Sequence, residues 1–459
     1  MPMDSHLMLG NQDFKDDYGL RYAYLAGAMY KGIASPALVI KLGKAGLMGF
    51  FGTGGLRLEK IETAIQDIQQ HLKHNESYGM NLLCNLVKPV LEDQTVDLFF
   101  KYGIKSIEAA AYVQMTPSLV RYRLKNLHLN CEGKIEVSHR ILAKVSRPEV
   151  AEAFMSPAPP NIVRKLVESG QLTQEEARLS EKIPMAHDIC VEADSGGHTD
   201  QGVAYALMPA MLRLRDEIIK RYAYEKAIRI GAAGGIGTPE AAAAAFMLGA
   251  DFIMTGSINQ CTVEAGTSDN VKDLLQNINV QDTTYAPAGD MFEFGAKVQV
   301  VRKGLLFPAR ANKLYDLYRQ YNALEEIDEK IGQQIQEKYF KCSFEEVWEE
   351  TRAYYAKEKP EEIEKAKENA KHKMALIFRW YFIYTTRLAL QGNEAQRANY
   401  QIQCGPALGA FNQWVKGTSL ENWRNRHVDE IAEKLMKDAA LLVTNRMEQW
   451  SLRTIPRNR

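Results

Sequence analysis

Between about residue 21 and residue 257 the chain repeats one unit, a short apolar run of strand length followed by a helical stretch. The runs lie near Tyr22–Ala28, Leu47–Gly52, Met80–Leu86, Ser106–Ala111, Arg140–Val145, Asp188–Ala193, Ile228–Ala232 and Phe252–Thr255. A helix between successive strands returns the chain to the same end of the sheet, so the strands are expected to be parallel. The runs are continuously apolar, which fits strands covered on both faces. Eight such units predict a (β/α)8 TIM barrel; one miscounted pair would give an open doubly wound sheet instead.

Several helix starts are legible. Ser35-Pro36, Thr116-Pro117 and Thr238-Pro239 each place a hydroxyl at the N-cap and proline at the first helical position. Thr173 with Glu176, and Ser343 with Glu346, have capping-box spacing. Gly170 reads as the stop of a helix that begins after Pro159-Pro160. Beyond Ser257 the texture changes to loops and short strands up to about 310, then to long charged helices up to about 390 that include a Glu361/Lys365 pair. The expected division is a barrel over 1–257, a loop and helical substrate-side insertion over 258–390, and helices over 391–459 that pack back on the barrel. The inserted block reads as a lid, a homodimer arm or a solvated appendage.

Charge narrows the class. Fifty-seven basic and 57 acidic residues cancel, which argues for neither nucleic acid nor an anionic membrane as partner. The six cysteines include no CxxC pair, so no metal site is expected, and their sparseness suits a reducing cytosol. The start lacks a signal-peptide pattern. The run from Leu376 to Leu390 is too short for a bilayer and holds Arg379 and Arg387, so it reads as a buried or partner-facing helix. A cytoplasmic location is the expectation.

In such a barrel the active site lies at the C-terminal ends of the strands. After the seventh and eighth strands come two glycine turns, Gly234-Gly235 within Ile230–Pro239 and Gly256-Ser257. Glycine lets backbone N–H groups approach phosphate oxygens, and these two loops are where barrels commonly hold a phosphate. The bland alternative is a pair of tight turns. The sixth strand runs into Glu192, then Gly196-Gly197, then His198, which suits a flat ligand with a histidine beside it. Asn81, in an apolar strand, needs a partner, either neighbouring backbone or a ligand's polar edge. Lys144, late in the fifth strand, faces either an anionic ligand edge such as a flavin's N1–C2=O or a carboxylate such as Glu192.

These segments resemble a known family. Tyr24-Leu-Ala-Gly-Ala-Met29, Lys44-Ala-Gly-Leu-Met-Gly49, the Glu-Ala-Asp-Ser-Gly-Gly-His segment and the two glycine turns are similar to the nitronate monooxygenase (2-nitropropane dioxygenase) flavoproteins. A closer resemblance, to the PfaD-type enoyl reductases of polyunsaturated fatty acid and trans-acyltransferase polyketide synthases, rests on Ala143–Val150, Val191–Asp200, Cys261–Ser268, Met291–Val300, Phe307–Tyr315 and Tyr400–Gly409. The resemblance implies FMN as cofactor and NADPH, less so NADH, as reductant. It implies a partner acyl carrier protein that presents the enoyl thioester on phosphopantetheine. Ala28 and Met29 would lie against the flavin ring, Asn81 and Lys144 at its polar edge, and Gly196 and Gly197 along it. Gly234, Gly235, Gly256 and Ser257 would hold its phosphate, and His198 would be the proton donor. Met254 departs from a glutamine common in the superfamily, so a flavin contact there is in doubt. A nitronate-type flavin oxygenase and a catalytically silent docking subunit are the alternatives.

Overall fold

The computed structural model describes residues 9–86 and 88–454. Eight strands close into a barrel: β1 (Tyr24–Ala26), β2 (Met48–Phe51), β3 (Gly79–Leu83), β4 (Ser106–Ala110), β5 (Arg140–Val145), β6 (Asp188–Glu192), β7 (Arg229–Ala233) and β8 (Ile253–Thr255). Each pairs in parallel with its neighbours in the chain, and β8 pairs with β1 to close the ring. Closure removes both sheet edges and excludes the open doubly wound alternative. Strand residues are buried almost throughout, as continuous apolar runs require. The strands are mostly shorter than their apolar runs: β1 ends at Ala26, which leaves Ala28 and Met29 just beyond it.

Local chemistry sets the crossovers. Ser35 accepts from Leu38 N (3.1 Å), Thr116 from Leu119 N (3.2 Å) and Thr238 from Ala241 N (3.4 Å), each ahead of a proline in the first turn. Thr173 and Glu176 form a reciprocal capping box, and so do Ser343 and Glu346. Gly170 follows its helix at φ +72°, a conformation that favours glycine. Lys365 makes its salt bridge with Glu362 at 3.1 Å, and Glu361 acts on it by charge alone.

The chain divides into two compact units. The first comprises residues up to 194, 201–266 and 413 onward; the second comprises 195–200 and 267–412. Sequence placed boundaries at 257/258 and 390/391.

In the first unit, the helix Gln12–Tyr18 and the first residues of β6 and β7 form a buried ion cluster. Arg229 Nε donates to Asp188 Oδ1 (2.6 Å), another guanidinium nitrogen to Asp188 Oδ2 (3.0 Å), and a third to Asp17 (2.6 Å). The Tyr18 hydroxyl donates to Asp188 Oδ2 (2.8 Å), and Arg140 lies over the Tyr18 ring. Burial and the Asp188 carboxylate push the Tyr18 hydroxyl well above its ordinary pKa. Because Asp188, Arg229 and Arg140 each begin a strand, this cluster caps the N-terminal end of the barrel.

The second unit is built on a three-stranded antiparallel sheet in the order Thr283–Pro287, Lys297–Val301, Gly197–Thr199. Its core is aromatic and aliphatic, with Phe292, Phe307, Phe340, Phe378 and Tyr381 all but inaccessible. The helix Ala370–Gln391 carries the apolar run that begins at Leu376, with Leu376, Ile377, Phe378 and Phe382 buried in this core. No helix among the described residues is long and apolar enough to cross a membrane.

Candidate active site

At the C-terminal end of the barrel, Lys144 of β5 lies between carboxylates from the strands on either side. Its Nζ is 3.3 Å from Glu108 Oε1 of β4 and 3.6 Å from Glu192 Oε1 of β6. Burial works against the Lys144 ammonium, but Glu192 and Glu108 outweigh it, and the pKa is raised above the ordinary lysine value. The salt-bridge partner open to Lys144 from sequence is therefore present, together with a second one. Glu108 is completely buried, and burial pushes its carboxyl above the usual range although Lys144 and the Ala28 N–H oppose the shift. Its Oε2 accepts from Ala28 N (2.9 Å), which ties the segment after β1 to β4. Its Oε1 has no aligned hydrogen bond among the described residues. Lys144 thus stands within 4 Å of two carboxylates.

Asn81 of β3 is buried and donates from Nδ2 to Glu108 O (3.1 Å), so neighbouring backbone takes one of its donors. Ala28 and Met29 are half-buried. A Cβ on Gly27 would meet Met254 Sδ at 2.8 Å, so the Met254 side chain would have to shift. Met254 itself is buried, with its sulfur 3.9 Å from Cys190 Sγ, and so packs as core.

The two glycine turns follow neighbouring strands. Gly234 (φ +86°) and Gly235 (φ +74°) occupy the left-handed region after β7. A Cβ on Gly234 would strike Ala193 O at 2.5 Å, so that turn is pressed against the end of β6. A Cβ on Gly235 or Gly256 would meet nothing within 4 Å. Gly234 is thus small for packing, whereas Gly235 and Gly256 border open space, as a cradle for a phosphate would. Ser257 opens the short helix Ser257–Gln260.

Gly196, Gly197 and His198 belong to the second unit. His198 sits on the edge strand Gly197–Thr199 opposite Val298, and its side chain is 49% exposed. Its Nε2 lies 2.8 Å from Asp290 Oδ1. Desolvation of Asp290 is outweighed by the hydrogen bond and charge of His198, which hold its carboxyl below the usual range. The Gln403 side chain closes on Gly197, where a Cβ would come within 3.1 Å of Oε1, and Gly405 closes on Gly196.

Lys144 and Glu192 are brought together, and Ala28 and Asn81 join them through Glu108. Gly196, Gly197 and His198 form a separate group, whose partners are Asp290, Gln403 and Gly405. Sequence reasoning missed two acids. Glu108 carried the same signal as Asn81 and Lys144, a polar residue inside an apolar strand, and could have been found by it. Asp290 lies 92 residues from His198 in a loop rich in other punctuation, and nothing local marks it.

Comparison with known proteins places this architecture. Residues 15–290 match the family model of nitronate monooxygenase, and residues 321–400 match that of the inserted helical domain of [acyl-carrier-protein] S-malonyltransferase. The chain is 60% identical over 440 residues to polyketide biosynthesis protein PksE of Bacillus subtilis, covering 96% of this chain and 57% of that protein. It is 55% identical over 438 residues to polyketide biosynthesis protein ThaF of Burkholderia thailandensis, covering 95% of this chain and 37% of that protein. It therefore spans less than two thirds of the length of these curated relatives. The crystal structure of the enoyl reductase domain of MlnA, from the macrolactin cluster of Bacillus amyloliquefaciens, is matched with TM-score 0.93 and 50% identity over 96% of this chain and 99% of that one. The chain belongs to the nitronate monooxygenase family of flavoproteins and is similar along nearly its whole length to that enoyl reductase domain.

Proposed function

We propose that the chain is an FMN-dependent enoyl reductase that reduces the α,β-double bond of enoyl thioesters carried by an acyl carrier protein, with NADPH as reductant. The observation that carries this reading is the likeness to the MlnA enoyl reductase domain across both units, the helical second unit included. The oxygenase alternative draws on the match of residues 15–290 alone.

The residues fit a flavin mononucleotide. Gly235 and Gly256 border space that a side chain would take, and Gly234-Gly235 with Gly256-Ser257 would hold its single phosphate. Ala28 and Met29 would lie against the ring, with Gly196 and Gly197 also lining it. Asn81, Lys144 and Glu192 would take the polar edge. Bound FMN, recharged by NADPH, would supply the hydride that adds to Cβ of the enoyl group. The protein's own part is to hold the thioester, exclude water and deliver a proton to Cα. His198 is the donor in this reading, because an imidazole is charged or neutral near physiological pH according to its surroundings. Lys144 brings one positive charge against two carboxylates. Burial holds the Glu108 carboxyl above the usual range beside Lys144, so a ligand edge placed there would meet a cluster of charges rather than a lone cation.

The test separates two half-reactions. Purified protein under nitrogen should carry FMN that bleaches with NADPH and recovers on adding crotonyl-pantetheine. His198→Ala should still bleach, while recovery slows about 10²–10⁴-fold, the usual contribution of a positioned acid. Fast recovery with oxygen or a nitronate, and none with enoyl thioesters, would replace the reductase by the oxygenase. Loss of flavin and both half-reactions together in His198→Ala would make that histidine structural.

A further inference from the structure

We propose that Glu108 is a positioning residue for the flavin: its one carboxylate fixes both Lys144, the cation of the polar edge, and the segment 27–29 that would wall the ring. This rests on the flavin reading of the site and adds a residue to it. Every group involved belongs to the first unit. Glu108 is the third residue of β4, in register with Asn81 of β3 and Leu142 of β5. Lys144 stands two residues further along β5, a rise of about 7 Å toward the mouth. The Glu108 side chain covers that step, with Oε1 3.3 Å from Lys144 Nζ. Its other oxygen accepts from Ala28 N at 2.9 Å, beyond the end of β1. In the ring of strands β2 and β3 separate β1 from β4, so this side chain spans the barrel interior instead of following its wall.

A completely buried carboxylate is costly, and a hydrophobic side chain of similar volume would fill the same space at less cost. It could not, however, hold an ammonium and a main-chain N–H at once. The segment after β1 is fastened from three strands. Gly27 N donates to Thr255 O of β8 (2.9 Å), Ala28 N donates to Glu108 of β4, and a Cβ on Gly52, just past β2, would overlap Met29 O. The first and third fastenings are main chain. The second is a side chain, so a single substitution can release it. Asn81 leans on the same residue from the other side: its Nδ2 donates to Glu108 O (3.1 Å), while Thr53 Oγ1 donates to Asn81 O (2.8 Å). Three residues that the resemblance sets around the flavin, Ala28, Asn81 and Lys144, thus converge on Glu108, which lies outside the segments that carry that resemblance. The carboxylate also draws the Lys144 ammonium toward the barrel interior and tempers its field at the mouth, where the reduced form of a flavin places negative charge.

The experiment compares Glu108→Gln, Glu108→Met and Lys144→Met in the full chain. Glutamine keeps an acceptor for Ala28 N and drops the charge that faces Lys144; methionine drops both. FMN titrated into apoprotein and followed by fluorescence quenching should bind about tenfold more weakly to Glu108→Met, with Glu108→Gln within about threefold of wild type. The flavin midpoint potential, read against a reference dye under nitrogen with FMN in excess, should rise by about 30 mV in Glu108→Gln, a tenfold gain for the reduced over the oxidised form. In a Lys144→Met background the same substitution should change that ratio less than about twofold. A fully buried carboxyl without its ammonium keeps its proton, and glutamine then resembles it. An unmoved potential in Glu108→Gln overturns the proposal, as does a shift that persists without Lys144 or an unaltered FMN affinity in Glu108→Met. If Glu108→Met does not fold, the two glutamine potentials decide. If wild-type apoprotein takes up no FMN, the flavin reading fails and the proposal falls with it. If FMN binds but enoyl thioesters are ignored, the reductase assignment alone falls and the potentials still judge Glu108.

Discussion

The two ends of the barrel use the same residue types to opposite effect. At the N-terminal end, Arg229 and Asp188 are both 3% exposed and joined by short, aligned hydrogen bonds, and Tyr18, Asp17 and the second cation on Asp17, Lys226 at 2.5 Å, belong to the same set. At the C-terminal end, Lys144 meets two carboxylates at 3.3 and 3.6 Å, and Glu108 keeps one oxygen without an aligned hydrogen bond. A cluster held by short, aligned hydrogen bonds makes a base; a looser one suits a mouth where something else is meant to bind. The difference lies in placement along the strand as much as in composition. Asp188 and Arg229 begin their strands, whereas Lys144 and Glu192 stand at or next to the end of theirs.

The largest expected effect breaks the base. Arg229→Met leaves Asp188 buried without its cation and should cost about 3–5 kcal/mol in urea unfolding. Flavin content of the folded fraction should be unchanged; a cost below about 1 kcal/mol would show that the two ends are not distinct. Lys144→Met, at the mouth, should cost less, about 1–3 kcal/mol after allowance for its 18% exposure and the 26% of Glu192. It should also lower flavin retention measured by absorbance after gel filtration, which Arg229→Met should not.

Glu108→Gln sharpens the contrast through pH. The folded-state pKa of Glu108 is raised, so the native protein holds that proton more tightly than the unfolded chain. Its contribution is greatest below the ordinary glutamate range and is lost as pH rises through the raised value. Against wild type, the glutamine variant should therefore gain stability as pH rises from the ordinary glutamate range through the raised value, by about 1.4 kcal/mol for each tenfold by which folding tightens the hold on that proton. A flat difference over that window would mean that the carboxyl is not perturbed. Gly235 offers the smallest and most specific test. Asparagine and aspartate have the same shape, and asparagine tolerates positive φ. Gly235→Asp should bind FMN about tenfold more weakly than Gly235→Asn, a difference of about 1.4 kcal/mol, since charge alone separates them. Equal affinities would remove Gly235 from the phosphate site.

The barrel was legible because parallel strands buried on both faces leave uninterrupted apolar runs, and because proline after a hydroxyl marks helix starts at Ser35, Thr116 and Thr238. Strand ends were less so: Ala28 and Met29 are apolar like the strand before them, yet lie beyond the ladder. The partners of Lys144 were half visible. Glu192 was within reach of a sequence argument, whereas Glu108 required applying the buried-polar rule to every strand. Asp290 was not visible at all, since only the antiparallel pairing of Lys297–Val301 with Gly197–Thr199 brings the two distant segments together. The small two-stranded hairpin of His128–Leu129 and Ile135–Glu136 also went unforeseen, because its strands are too short for any period to register.

The excursion of residues 195–200 has a consequence for how such a chain acquires its structure and how it can be cut. Its edge strand is lent by a stretch of chain that leaves β6 and then resumes toward β7. A fragment starting at residue 267 would lack that strand and expose the backbone edge at Lys297 and Val298, an open template for aggregation. During synthesis the strand emerges well before its sheet, so it must wait for a partner about 100 residues downstream before it can be paired. The same thread makes the two units poor candidates for independent expression, and it makes insertion of a tag between Asp194 and Gln201 a more damaging choice than loop exposure alone would suggest.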